Sequence, residues 1–287
     1  MSRRNNLERM GASDNDAPTP PIAATQQDTD DVFSFIAPTE FIDLPSAGLL
    51  YPEGHALHKV STVEIRHMTA KEEDILTSES LIKKGLALDR LLQSIVIDKR
   101  IKPDDLLIGD KNALLVGARV TGFGNLYETK VTCPACTKTS DAALDLDDLE
   151  TKDFQQLPEN VTTTDQGNYV ITLPDFNNLE VEVLLLTGRH EKALMQQRDK
   201  RRKLKLPDTN VTDQLTAIIA RVNEITDPAL LAQFSEQVPT RVSRQIRAIY
   251  EDLVPDLDMT FGFECDNCGH VGKVGMPISA DFFWPDS

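Results

Sequence analysis

Four cysteines stand in the sequence as two Cys-x-x-Cys pairs, Cys133 with Cys136 and Cys265 with Cys268. Thiolates at this spacing on tight turns bind soft or borderline metal ions. Two such pairs facing one another make a tetrahedral four-sulfur cage for Zn²⁺. With all four positions taken by sulfur, none is open to substrate or water, so such a zinc is structural. Other chemistries compete for the same residues. A thioredoxin-type redox pair needs Cys-x-x-Cys at a helix N-terminus, and neither flank here reads as helix. A disulfide within one pair closes too short a loop to stabilise much, and a reducing compartment opposes it. Four inert thiols are the plain alternative, and two matching pairs argue against it. His270 beside the second pair could replace a thiolate, but a surface histidine or one bracing the ligands is the better reading.

The flanks of each pair show what must position it. Leu126 to Thr132 alternates as a strand does and runs straight into Cys133-Pro134-Ala135-Cys136. Met259 to Glu264 does the same before Cys265-Asp266-Asn267-Cys268, and a further strand is predicted from about Val271 to Pro277. Gly269 suits the positive φ that a knuckle of this kind demands. The arrangement is that of a zinc ribbon over residues 126–140 and 255–287. The spacer between the pairs far exceeds the usual ~15–20 residues, which weakens the pattern, but residues 141–254 can be a folded insertion whose ends come back together. Within it, Asn168 to Leu173 and Leu179 to Leu186 pattern as a hairpin, and 189 to about 254 as helices punctuated by Pro207, Pro228 and Pro239.

Ahead of the ribbon, residues 38–125 read as a mostly helical subdomain. Val63 to Met68 alternates as a half-buried strand, and Thr69 with Glu72 is a capping box opening a helix to about Leu76. Leu88, Leu91, Leu92, Ile95 and Val96 form one apolar stripe on a helix over about 87–97. Pro103 suits the first turn of a short helix through Leu107. Asp110 is placed to cap another helix, with Leu114, Leu115 and Ala118 on one face and an end near Gly122-Phe123-Gly124. Residues 1–37 have the composition of a disordered or extended arm, in which Val32 to Ile36 could be a docking strand. The fold class expected is therefore α+β.

Composition narrows the function. In 287 residues, 30 basic side chains face 46 acidic ones, a net charge of −16 that repels polyanions and disfavours nucleic acid as a general partner. Residues 189–205 are the exception: Arg189, Lys192, Arg198, the run Lys200 to Lys203 and Lys205 face only Glu191 and Asp199. No aromatics are interleaved there to stack bases, so a solvated face or a contact with an acidic partner subunit is the better reading. The acidic stretch 141–153 could pair with such a face in a neighbouring copy. No apolar run reaches the ~18 residues of a membrane span, and no secretory signal opens the chain, which predicts a soluble protein made in a cytoplasm. Phosphate-loop, Gly-x-Gly-x-x-Gly, His-Glu-x-x-His and Gly-x-Ser-x-Gly motifs are all missing, so no enzyme is indicated. The ending Phe282-Phe283-Trp284-Pro285 must be buried somewhere, either on the chain's own subdomain or in a partner's groove. The partner's groove predicts that truncation after Pro277 leaves a folded, zinc-loaded protein unable to join its complex.

Several segments together resemble the baseplate proteins of T4-like contractile-tailed bacteriophages, in particular those of the central hub and its assembly. They are Leu44-Pro45-Ser46-Ala47-Gly48 with Tyr51 and Gly54, then Met68-Thr69 with Glu72-Glu73 and Ile75-Leu76, then Asp104 to Asp110. Arg119 to Tyr127, Cys133-Pro134-x-Cys136 and the Phe-Phe-Trp-Pro ending complete the series, which covers about 40–140 and 255–285. The resemblance implies a non-enzymatic virion part, assembled in the host cytoplasm into the tail baseplate among other tail subunits. The competing reading is a zinc-ribbon nucleic-acid-binding or transcription-associated protein that uses the 189–205 patch. Acidic Glu264 and Asp266 beside one knuckle disfavour it.

Overall fold

The computed structural model describes residues 38–276 apart from 153, 155, 165 and 166, together with 278, 282 and 283. The arm 1–37, its Val32 to Ile36 segment, Pro277 and Trp284 lie outside these residues. The chain is α+β. A hairpin of β1 (Thr39–Asp43) and β2 (Thr62–Arg66) leads into helices α1 (Ala70–Thr77), α2 (Glu79–Lys83), α3 (Ala87–Ile95) and α4 (Ile108–Phe123). The capping box forms at α1: the Thr69 N–H and hydroxyl both donate to Glu72 Oε2, at 3.0 and 2.7 Å. The apolar stripe of α3 and the Leu114, Leu115, Ala118 face of α4 meet in one core with Leu57, Ile65, Leu76 and Leu106. No described helix is long and apolar enough to cross a membrane.

Asp110 does not cap α4. The helix begins ahead of it, at Ile108, where the insertion's backbone meets the first amide: the Ile108 N–H donates to the Leu186 carbonyl at 3.2 Å. With no cap to provide, the Asp110 carboxylate turns inward and is fully buried. It accepts the Ser46 N–H at 2.9 Å, the Ser46 hydroxyl at 2.6 Å and the Tyr51 hydroxyl at 2.7 Å, while Tyr51 in turn accepts the Leu107 N–H at 3.0 Å. These bonds clamp the Leu-Pro-Ser-Ala-Gly segment onto the start of α4. At Gly48, φ is +71° and an added Cβ would lie 2.4 Å from the Val60 backbone, so the turn requires glycine.

Beyond α4, β3 (Leu126–Thr132) pairs with β4 (Thr139–Asp145), so the first hairpin runs past the predicted boundary at 140. Leu144, Leu146 and Leu149 turn inward from the acidic stretch and pack on the first core. The insertion is less purely helical than its sequence pattern suggested. Its hairpin, β6 (Tyr169–Leu173) with β7 (Leu179–Val183), is flanked by β5 (Val161–Thr163) and β8 (Ile219–Val222) in one antiparallel sheet. The strand β8 follows directly on α6 (Asn210–Ile218) and completes the sheet, which is why a helical pattern hid it. Helices α7 (Pro228–Gln237) and α8 (Thr240–Leu253) cover this sheet and form a second core with Ile171, Val181, Leu215 and Ile246. Helix α5 (Gly188–Lys203) carries most of the basic run.

The ends of the insertion lie side by side. Lys152 N–H donates to the Asp256 carbonyl at 2.9 Å and Asp258 N–H to the Glu150 carbonyl at 2.7 Å, around a Thr151–Leu257 bridge. Helix α4 backs this seam so closely that a Cβ on Gly109 would lie 1.8 Å from the Pro255 carbonyl oxygen. Buried Lys111 pairs with Asp89 at 2.7 Å and Glu191 at 2.8 Å, tying α3, α4 and α5.

The aromatic terminus corrects the partner-groove expectation. Phe282 and Phe283 are each 1% exposed and belong to the first core. Phe282 lies 5.1 Å from Tyr127 and 5.5 Å from Phe283, which meets Phe123 edge-on at 6.3 Å. Arg119, itself buried, donates to the carbonyls of Gly124, Leu126 and Phe282, holding the end of α4, the start of β3 and the terminal segment together. These two rings are core side chains of this chain.

Candidate metal centre

The second cysteine pair sits on β9 (Thr260–Glu264) and β10 (Val271–Gly275), a hairpin built like β3–β4. Each strand pair forms its own two-stranded sheet, and the two meet through side chains. Their turns are equivalent bond for bond. Cys133 N–H donates to Lys138 O at 2.8 Å and Thr137 N–H to Cys133 O at 2.9 Å. In the other turn, Cys265 N–H donates to His270 O at 2.9 Å and Gly269 N–H to Cys265 O at 2.8 Å. The residue closing each turn has positive φ, +67° at Gly269 as its type foretold and +58° at Thr137, where no glycine marks it. Val131, Cys133, Phe263 and Cys265 form a small apolar core between the hairpins.

This pairing brings all four sulfurs within 4.8 Å of one another. Cys133 Sγ lies 3.7 Å from Cys268 Sγ, and Cys136 Sγ 3.6 Å from Cys265 Sγ. Zn–S bonds of ~2.3 Å at tetrahedral angles set sulfurs ~3.8 Å apart, so the cluster has the dimensions of a four-sulfur zinc cage. It is far too open for a disulfide, whose sulfurs stand ~2.05 Å apart. Among the described residues these four cysteines are the cluster that could hold a metal, and His270 is not in it.

Local electrostatics favour thiolates in part of the cluster. At Cys265 the cost of burial is outweighed by backbone N–H groups of Asn267 and Cys268, which draw the thiol down to about 6. The Lys138 N–H lowers Cys136. Cys268, despite the His270 N–H, is pushed up to about 12 by bonds to the neighbouring sulfurs, which need its proton. A bound cation would remove that competition, because metal binding displaces the thiol protons. Sequence reasoning missed Asn267, whose amide donates to Cys136 Sγ at 3.6 Å and accepts Lys138 Nζ at 2.8 Å, linking the two turns outside the sulfurs.

A family model described as T4 bacteriophage base plate protein matches residues 40–284. The chain belongs to that family. The match runs through the insertion, which the resemblance of separate segments had left aside. No curated protein and no solved structure matches the chain. Ser46, Tyr51 and Asp110 form a buried polar cluster. Its side chains are at most 4% exposed and are spent on one another and on backbone amides, a structural use.

Proposed function

We propose that this protein is a non-catalytic structural component of a contractile-tail baseplate, in which a Zn²⁺ held by Cys133, Cys136, Cys265 and Cys268 locks two distant hairpins together. Under this reading the chain is made in the host cytoplasm and built among other tail subunits into the virion. Its parts are an arm (1–37), a largely helical region (38–125), a zinc-bound pair of hairpins (126–145 with 255–276) and the insertion between them (146–254). The observation that carries the metal reading is the four-sulfur cluster, every sulfur within 4.8 Å of the others. Family membership carries the baseplate reading. A zinc here would cross-link β3–β4 to β9–β10, a junction whose own apolar core is small. Metal-binding free energy would then be folding free energy for those hairpins.

Metal analysis of the reduced protein is expected to return one zinc per chain. Cys133→Ser and Cys265→Ser should each lose it and lower the melting temperature, with far-ultraviolet circular dichroism of the helices retained. Purified tails should contain the chain by mass spectrometry. A metal-free reduced protein as stable as the zinc-treated one would refute the metal reading, and tails lacking the chain would refute the baseplate reading.

A further inference from the structure

Helix α5 leaves one full face uncovered. Glu191, Leu194, Met195, Arg198, Asp199 and Arg202 repeat at three- and four-residue steps along a groove of about 940 Å³. Its far walls come from α2, α6 and α8. Three exposed apolar side chains converge there: Ile82, Met195 and Val211, 43%, 41% and 44% exposed. Cations stand among them. Arg198, Arg202 and Lys83, the last already paired with Glu79 at 2.6 Å, line the groove, and so does Arg247, whose Nε is buried with no hydrogen-bond partner among the described residues. Of the two acids present, Glu191 is already paired with Lys111 at 2.8 Å. Asp199 is the other acid against three guanidinium groups, so the groove is locally basic in a chain of net charge −16. The walls are pinned, since Gln197 on α5 donates to Asp213 on α6 at 3.2 Å and Thr209 donates to the same carboxylate at 2.8 Å.

We infer that this groove docks an amphipathic, carboxylate-bearing helix of another tail subunit, a proposal that rests on the baseplate reading. An apolar helix face fits the Ile82, Met195 and Val211 walls, and its carboxylates meet Arg198, Arg202 and Arg247. Exposed methionine and arginine are the side chains that protein interfaces favour. Among the described residues no aromatic side chain lines the groove, which leaves nucleobases nothing there to stack on. A second copy fits poorly: the exposed acids of 141–150 lie on β4 and the turn after it, whose Leu144, Leu146 and Leu149 are turned into this chain's own core.

The test uses the full chain carrying Val211→p-benzoylphenylalanine, assembled in infected cells, irradiated, and recovered in purified tails. The cross-linked peptide is expected to come from a different tail protein. It should carry apolar residues at three- and four-residue spacing with carboxylates between them. Arg198→Glu with Arg202→Glu, both exposed positions, should cut the cross-link at least about tenfold, since losing a desolvated charge pair costs well over 1.4 kcal/mol. Thermal stability and the metal content of the cysteine cluster should stay unchanged. A cross-link to this chain itself or to nucleic acid overturns the proposal. So does no cross-link in tails that contain the chain, an outcome that leaves the baseplate reading standing. Tails that lack the chain overturn both.

Discussion

Replacing Phe283 by alanine tests whether the aromatic terminus belongs to this chain's core. The ring is 1% exposed and packs edge-on against Phe282 at 5.5 Å and Phe123 at 6.3 Å. Truncating a buried phenylalanine costs ~3–5 kcal/mol, transfer and cavity together. Phe282→Ala should cost the same, because that ring is equally buried and meets Tyr127 at 5.1 Å. The double variant should lose less than the sum by ~0.5–1.5 kcal/mol, since the contact between the two rings is removed only once. That leaves roughly 5–9 kcal/mol, a large part of the ~5–15 kcal/mol that stabilises a typical domain. Urea unfolding of each single variant should show its midpoint falling with an unchanged slope, and calorimetry a melting temperature lower by ~6–20 °C. A chain ending at Met276 should be worse than the double variant, because Arg119 also loses the Phe282 carbonyl, 3.3 Å away. A loss below ~1 kcal/mol in both single variants would refute the core assignment. Stable variants that fail to enter tails would restore the partner's groove in its place.

Acid should weaken the start of α1. Arg66, Ser94 and Thr69 bonds overcome burial and hold the Glu72 carboxyl at about 2, against an ordinary 4.5. The stabilisation is therefore complete above 4.5 and is lost as pH falls from there toward 2; allowing for solvent screening at half-buried Arg66, it amounts to ~1–2 kcal/mol. Glu72→Gln should flatten that limb of the stability–pH curve, and an unchanged limb would contradict the assignment. Gly109→Ala near the start of α4 should destabilise by ~1–3 kcal/mol through overpacking against Pro255, although helix propensity by itself favours alanine by up to ~1 kcal/mol. A melting temperature that rises would show that the seam yields. Thr137→Gly should relieve the left-handed backbone in the first cysteine turn, where a non-glycine residue costs ~1–2 kcal/mol, offset in part by the greater chain entropy of glycine. A large loss of stability would show that the threonine side chain is needed.

Local physics was legible wherever it was sufficient. The capping box at Thr69 and Glu72, the stripe of α3 as far as Ile95 and the strand Leu126–Thr132 all depend on near neighbours and formed where their patterns lay, whereas Val96 leaves the helix to bridge Ile65. The positive φ at Gly269 was readable because glycine announces it, whereas Thr137 takes the same conformation as its N–H closes the turn onto the Cys133 carbonyl, with no glycine to mark it. Asp110 looked like a cap because carboxylates favour helix N-termini. The backbone of Leu186, remote in sequence, had already met that need and left Asp110 to bind Ser46 and Tyr51. The strand β8 was hidden for a related reason, since its neighbour β7 is recruited across an intervening pair of helices. Residue type and spacing by themselves nominated the four cysteines as a set. Only tertiary structure decides that they meet, because their encounter depends on the pairing of Thr151 with Leu257 and on α4 backing that seam. The aromatic terminus shows the same limit. Composition requires that the rings be buried but is silent on the surface that buries them, and the choice fell to Arg119, Phe123 and Tyr127, brought together by the fold.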